Sequence, residues 1–251
     1  MFKDLFSAQA AQYAQYRPTY PPSLFQFIAG LPAEQKRVWD CGTGNGQAAL
    51  GLVPYFEEII ATDPSASQIE HAARNSKIRY EISTAESAPS IPANSVDLVT
   101  AAAAAHWFKF DLFYKEVNRV IKPGGIIALW TYGHDREIVH PKLDQIMKRF
   151  EDQVVGPFWA PEIDLVRKKY KTIPFPFEEV QCPEFKIEKR MNLSELIGYC
   201  STWSAIQKYK ESFKRNPLLE LKFTLEKIWG DPNSTYEIIW PVYLRVGIVR
   251  K

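Results

Sequence analysis

Short apolar runs alternate along this chain with stretches where apolar residues return every three or four positions. Runs at 37–41, 57–62, 77–82 and 126–130 are too brief for helices and read as strands, and a further strand passes through Val96, Leu98 and Val99 into Thr100. Leu112, Phe113, Val117, Val120 and Ile121 keep helical spacing over 111–121. The same spacing predicts helices at 4–16 (Leu5, Phe6, Tyr13 and Tyr16), 23–30, 46–53, 65–75, 139–153, 162–171 and 217–229, with another opening at 192. Residues 185–191 alternate apolar and polar, as a half-exposed strand does, and 236–250 supply a last strand expected to run antiparallel to its neighbours. Strands alternating with helices predict an α/β fold.

Breakers punctuate this pattern. Pro18, Pro21 and Pro22 stop the first helix, because proline fixes φ and biases the residue before it toward extended geometry. Ser23 and Gly30 read as the cap and the closing residue of the second helix. Lys122-Pro123-Gly124-Gly125 ends helix 111–121 and turns the chain into the strand at 126–130.

One junction carries candidate chemistry. The run 37–41 ends in Asp40-Cys41, then Gly42, Gly44 and Gly46 alternate with Thr43 and Asn45, and a helix begins. Glycine permits positive φ and lets a ligand reach the backbone with no Cβ in the way. The helix behind offers unpaired N–H groups and the positive end of its dipole to an anionic group. A dinucleotide fingerprint, G-x-G-x-x-G, needs its third glycine at 47, where this chain has Gln47. Asp63 lies 23 residues beyond Asp40 at the end of the next strand. A carboxylate there suits both hydroxyls of a ribose, while a helix cap for 65–75 is the plainer use of the same residue.

The pattern D-x-G-x-G-x-G at 40–46 resembles the first motif of class I S-adenosylmethionine (SAM)-dependent methyltransferases. Thr84-Ala85-Glu86-Ser87-Ala88-Pro89, followed by Ser95-Val96-Asp97-Leu98-Val99, resembles that family's A-E-x-x-P and S-x-D-x-V. A small-residue run ending in His106-Trp107-Phe108, and Arg119-Val120-Ile121-Lys122-Pro123-Gly124-Gly125, resemble two more of its signatures. Tyr16-Arg17-Pro18-Thr19-Tyr20-Pro21 and Ser201-Thr202-Trp203-Ser204 are similar to segments of its trans-aconitate methyltransferase-like branch.

The resemblance implies a Rossmann-like seven-stranded sheet in one domain spanning 1–251. Residues 1–30 would be an N-terminal lid, 31–132 the SAM-binding core, 133–184 an α-helical cap inserted between strands 5 and 6, and 185–251 the closing strands and helices. SAM would be held by Arg17, Asp40, Gly42, Gly44, Gly46, Asp63, Ala85, Glu86 and His106. Tyr13, Tyr16, Arg17 and Tyr20 would line its pocket from above. Ser95 and Asp97 read as structural groups at the strand entry. Tyr20, Trp107, Trp159 and Trp203 are candidates to face the substrate; Phe158, Phe175 and Phe177 could extend an apolar wall there, while ordinary packing is the favoured reading of them. The implied reaction is methyl transfer to a small molecule, a carboxylic acid giving a methyl ester or another O, N or C acceptor. Arg17, Arg136 and Arg245 are available to pair with a carboxylate. A hydroxyl acceptor needs a base, for which His106 and His134 are candidates. A SAM-binding regulator without turnover is the alternative, and an NAD-linked oxidoreductase ranks third.

Composition narrows this only by exclusion. A net charge of +2 with no lysine/arginine block argues against nucleic acid as the partner. (D/N)-P-P-(Y/F), which clamps a flipped amino group, is replaced by Ala105-His106-Trp107. No apolar run reaches the ~20 residues of a membrane span, and no apolar signal core precedes residue 30. Three cysteines read as reduced thiols, which points to a cytoplasmic protein. No metal ligand set stands out.

Overall fold

A computed structural model describes residues 15–251 of the chain. The part of the predicted first helix that holds Leu5, Phe6 and Tyr13 lies outside the described residues.

Five parallel strands form the body of the sheet: β1 (Arg37–Cys41), β2 (Glu58–Asp63), β3 (Ile78–Ile82), β4 (Val96–Ala102) and β5 (Ile121–Tyr132). Their order is β3-β2-β1-β4-β5. The two-residue β6 (Glu137–Ile138), β7 (Glu178–Val180), β8 (Phe185–Met191) and the long β9 (Tyr236–Ile248) complete nine strands. β9 runs antiparallel to β5, β6, β7 and β8 and pairs with all four. The seven expected strands are therefore present as β1–β5, β8 and β9, and the two short ones come from the insertion.

Strand residues alternate between two cores, as period two demands. Val38, Ile59, Ala61, Leu98, Ile126, Ala128 and Trp130 face one core. Trp39, Cys41, Ile60, Val99, Ala101, Ile127 and Leu129 face the other. Every one of these fourteen side chains is at most 3 % exposed, which is why the strands read as apolar runs and not as alternating ones.

The helices are α1 (Pro22–Ala29), α2 (Gln47–Leu52), α3 (Ala66–Glu70), α4 (Phe110–Val120), α5 (Pro141–Arg149), α6 (Ile163–Arg167), α7 (Leu193–Ser201), α8 (Ser204–Phe213) and α9 (Pro217–Trp229). Several ends differ from the sequence expectation. α1 starts on Pro22 with no side-chain cap, so Ser23 lies inside it, and Gly30 closes it with an ordinary right-handed φ of -80°. α3 covers only 66–70. In the insertion, α5 continues as a π-turn over 150–154 and α6 covers only 163–167. The insertion thus mixes two helices with two short strands.

The lower edge of the sheet is tied by Asp97. Its carboxylate accepts from the Lys36 and Arg37 amides at 3.0 and 2.8 Å and from Lys122 Nζ at 2.5 Å. Ser95 Oγ donates to Pro92 O at 2.7 Å. Both residues do the structural work expected of them at the strand entry.

Candidate functional site

At the carboxyl end of β1 the chain turns through three left-handed glycines, Gly42 at φ 66°, Gly44 at 56° and Gly46 at 83°. Two of them have no room for a side chain. A Cβ on Gly42 would meet Ala104 Cβ at 2.6 Å, and one on Gly46 would meet Tyr80 Oη at 2.2 Å. Gly44 differs: a Cβ there would meet only Gln68 Oε1, at an ordinary contact distance of 3.8 Å, so this side of the turn is not tightly packed.

Two acids organise the turn. Asp63, at the end of β2, accepts from the Gly44 amide at 2.9 Å and the Ser65 amide at 2.8 Å. It does not cap α3; Ser65 does, its Oγ accepting from the Gln68 amide at 3.2 Å. Asp40 is 0 % exposed and accepts from the hydroxyls of Thr43 at 2.6 Å and Thr100 at 2.7 Å. Burial pushes its carboxyl up to about 6 against the pull of those two hydroxyls. With both oxygens engaged and no surface, Asp40 shapes the turn from behind. That corrects its place among residues expected to touch a cofactor.

Ala85 is buried beside β4, and Glu86 accepts from the Lys109 amide at 2.9 Å, at the head of α4. After β4, Ala103 takes a left-handed φ of 51° and the chain enters a single 3₁₀ turn, Ala105–Trp107. This segment touches the glycine turn through Ala104 and Phe108. On its other side, Ala103, His106 and Trp107 line a pocket. Cradle and pocket therefore share a wall.

The rest of that pocket comes from distant parts of the chain. Arg17 arrives from the N-terminal segment, Thr131 to His134 from the end of β5, Arg136 from the turn before β6, and Glu151 from the π-turn. Trp159, Ile163 and Val166 come from the insertion, and Tyr199, Trp203 and Ser204 from the α7–α8 junction. The cavity is small, about 80 Å³. The rings of Trp159 and Trp203 stand 5.7 Å apart.

Buried charge sets the character of this pocket. Arg136 is 3 % exposed, and its guanidinium lies 5.0 Å from the centre of the Trp203 ring. Nη1 donates to Glu151 Oε2, and the other Glu151 oxygen pairs with His134 Nδ1. Burial opposes the charge on Glu151, yet Arg136 and the bond to His134 outweigh it and hold the carboxyl down to about 2. Nε and Nη2 of Arg136, which share the opposite edge of the planar group, have no hydrogen-bond partner among the described residues. Trp159 Nε1 is likewise buried and unpartnered. Buried donors are nearly always satisfied, so an orphaned pair on one guanidinium edge calls for an acceptor beyond the described residues, a water or a ligand.

The other expected residues take different places. Arg17 donates to Thr202 Oγ1 at 2.8 Å, to Thr202 O at 3.3 Å and to Tyr132 Oη at 3.2 Å, and lies over the Tyr199 ring. Tyr16 packs on Gly198, where a Cβ would approach its ring to 2.5 Å. Tyr20 is enclosed by Phe25, Trp130 and Tyr132 in the core and does not line the pocket. Arg245 is committed to Glu179 and to the carbonyls of Tyr170 and Ile173, away from the pocket. Phe175 and Phe177 pack on each other and around Gly247, and Phe158 packs on Tyr209 and Phe213. His106 is 7 % exposed, and its Nδ1 lies 2.8 Å from Tyr170 Oη. Burial, with His134 adding to it, pushes its imidazole down to about 3, so it stays neutral and is a poor proton acceptor. Glu151 was missed from sequence: a lone acid in a helical stretch carries no signal.

Among the described residues there is no cluster of metal-ligating side chains and no helix long and apolar enough to cross a membrane.

Comparison with known proteins agrees with this architecture. Residues 39–129 match the family described as "Methyltransferase domain". A Dictyostelium discoideum protein provisionally named as a methyltransferase is 32% identical over 97% of this chain and 94% of its own. A Saccharomyces cerevisiae protein provisionally named as an S-adenosylmethionine-dependent methyltransferase is 33% identical over 49% of this chain and 45% of its own. A solved structure from Anaeromyxobacter dehalogenans, provisionally described as a type II methyltransferase, superposes with a TM-score of 0.85 at 36% identity, covering 94% of this chain and 99% of that one. The chain belongs to the class I SAM-dependent methyltransferases.

Proposed function

We propose that this protein methylates a small carboxylic acid, in line with its resemblance to the trans-aconitate methyltransferase-like branch. The observation that carries the reading is the orphaned Nε/Nη2 edge of Arg136, buried at 3 % exposure in a pocket that adjoins the glycine turn. Two parallel N–H groups on a planar cation match the two oxygens of a carboxylate. Trp159 Nε1 adds a third donor, and the indole faces of Trp159 and Trp203 suit a short apolar body.

The residues at the turn fit SAM. Gly44 leaves a side of the backbone loosely packed, and Asp63, fixed by two amides, presents an acid beside it for the ribose. Ala85 and Glu86 would lie near the base, and His106 and Trp107 near the sulfonium, whose charge aromatic faces attract. When bound, SAM supplies an electrophilic methyl group. The chain's own task is alignment and exclusion of water, and holding reacting atoms ~3–3.5 Å apart accounts for ~7–11 kcal/mol of barrier lowering. Transfer to an oxygen of the bound acid yields its methyl ester or, at a hydroxyl that the acid carries, its methyl ether.

The test is transfer of labelled methyl from SAM to a panel of small acids and amines, repeated with Arg136→Lys. Acids are expected to be methylated and amines of like size ignored, with acid KM raised at least tenfold in the variant because Lys cannot reproduce the two-donor edge. Equal use of amines, or an unmoved KM, overturns the reading.

A further inference from the structure

Methyl transfer to an ionised carboxylate needs no proton acceptor, yet the pocket wall holds one already oriented. His134 lines the pocket 4.6 Å from the Trp159 ring, edge to face, and its Nδ1 is bonded to Glu151. An ionised carboxylate can only accept, so Nδ1 carries the hydrogen and Nε2 of the neutral ring keeps its lone pair. The same Glu151 occupies the Nη1 end of Arg136 and leaves its buried Nε/Nη2 edge without a partner among the described residues. Glu151 itself sits in a π-turn, an irregularity often found at functional sites. One carboxylate thus sets the orientation of an anion anchor and of a proton acceptor.

These two functions fit one kind of acceptor. A carboxylate seated on the Nε/Nη2 edge has the lone pairs of both oxygens directed at N–H groups and its charge drawn toward Arg136, which makes it a poor nucleophile. We propose that His134, positioned by Glu151, takes the proton from a hydroxyl of the acceptor, and that the carboxylate on Arg136 is an anchor that leaves the enzyme unmethylated. This rests on the acid-binding reading of the pocket. As the hydroxyl oxygen bonds to the methyl carbon, its proton passes to Nε2 of His134, the carbon–sulfur electron pair stays on sulfur, and the imidazolium later gives the proton to water. The charged and titratable groups that line the pocket with His134 are Glu151, Arg136, Arg17, His106, Tyr132 and Tyr199.

Two measurements test this on the full chain. Nitrogen NMR of histidine-labelled protein, with His134 assigned through His134→Gln, is expected to show hydrogen on Nδ1 and a bare Nε2; the reverse tautomer overturns the proposal. Calorimetry and turnover then use matched acids, butyrate with 4-hydroxybutyrate and 3-phenylpropionate with 3-(4-hydroxyphenyl)propionate. Both members of a pair should bind in the presence of S-adenosylhomocysteine. Only the hydroxylated one should be methylated, to a base-stable ether, with kcat rising as His134 loses its proton. His134→Gln should lower kcat by about 10²–10⁴-fold, leave acid binding within twofold and abolish that limb of the pH profile. Base-labile esters formed from the parent acids, or full kcat in His134→Gln, overturn the base while leaving the acid pocket standing. If neither member of any pair binds, the acid pocket fails and the base with it.

Discussion

The glycine cradle and the acceptor pocket share the wall at residues 103–108, and they are held together in opposite ways. The cradle is sewn by neutral donors on two acids: the hydroxyls of Thr43 and Thr100 on Asp40, and the amides of Gly44 and Ser65 on Asp63. One loosely packed side remains at Gly44. The pocket is held by a buried ion pair, Arg136–Glu151, and it retains orphaned donors. On the proposed reading the cradle serves the cofactor, and the pocket's unfinished hydrogen bonds are completed by the substrate.

The largest effect should fall on the pocket's ion pair. Glu151→Gln leaves Arg136 buried without a counter-charge and is expected to cost about 3–5 kcal/mol in urea unfolding. The same change at the exposed Lys186–Glu188 pair should leave the unfolding midpoint nearly unmoved, since solvent screens that pair. Because Glu151 is held down to about 2, the stability it lends is present above the unfolded carboxylate range and is lost as pH falls toward 2. Equal losses in the two variants would erase the contrast.

Asp40 tests the cradle with the opposite sign. Its carboxyl is raised to about 6, so between about pH 4 and 6 the folded protein keeps a proton that the unfolded chain has released. Stability therefore falls as pH rises through that window. Asp40→Asn, able to bond both Thr43 and Thr100, should flatten this slope and raise stability at pH 8 by on the order of 2–3 kcal/mol; a melting series from pH 4 to 8 reads it.

Asp63→Ala should weaken S-adenosylhomocysteine binding by about 1.5–3 kcal/mol in calorimetry, the range for hydrogen bonds to charged groups. An unchanged affinity would reduce Asp63 to a brace for Gly44. The smallest effect belongs to Trp159→Phe, which keeps the ring and deletes one donor. Acid binding should weaken by about 0.5–1.5 kcal/mol with cofactor binding untouched. Loss of both together would mean that the two regions are not separable.

Much of the fold was legible because its signals are local. Strand runs at 37–41 and 185–191, the helix at 217–229 and the antiparallel last strand lie where periodicity placed them. Asn192 also opens its helix with a full capping box to Glu195. Ser23 misled because Pro22 can start a helix without a cap, and the helix expected over 65–75 stops at Glu70. Asp40 was read as a contact because a motif names residue types and not the direction in which a side chain points.

The sequence alone determined the sheet, the bare backbone between 42 and 46 and the acid one strand over. Each of these depends on neighbours in the chain and on residue types with narrow conformational or chemical options. Only the tertiary structure decided which of Arg17, Arg136 and Arg245 keeps an edge free, and that His134 and Glu151 stand together. Those properties come from side chains of separate segments, His134 and Glu151 17 residues apart and Arg136 set against the more distant Trp203, sharing one water-poor space where a missing partner has a cost that no linear pattern records.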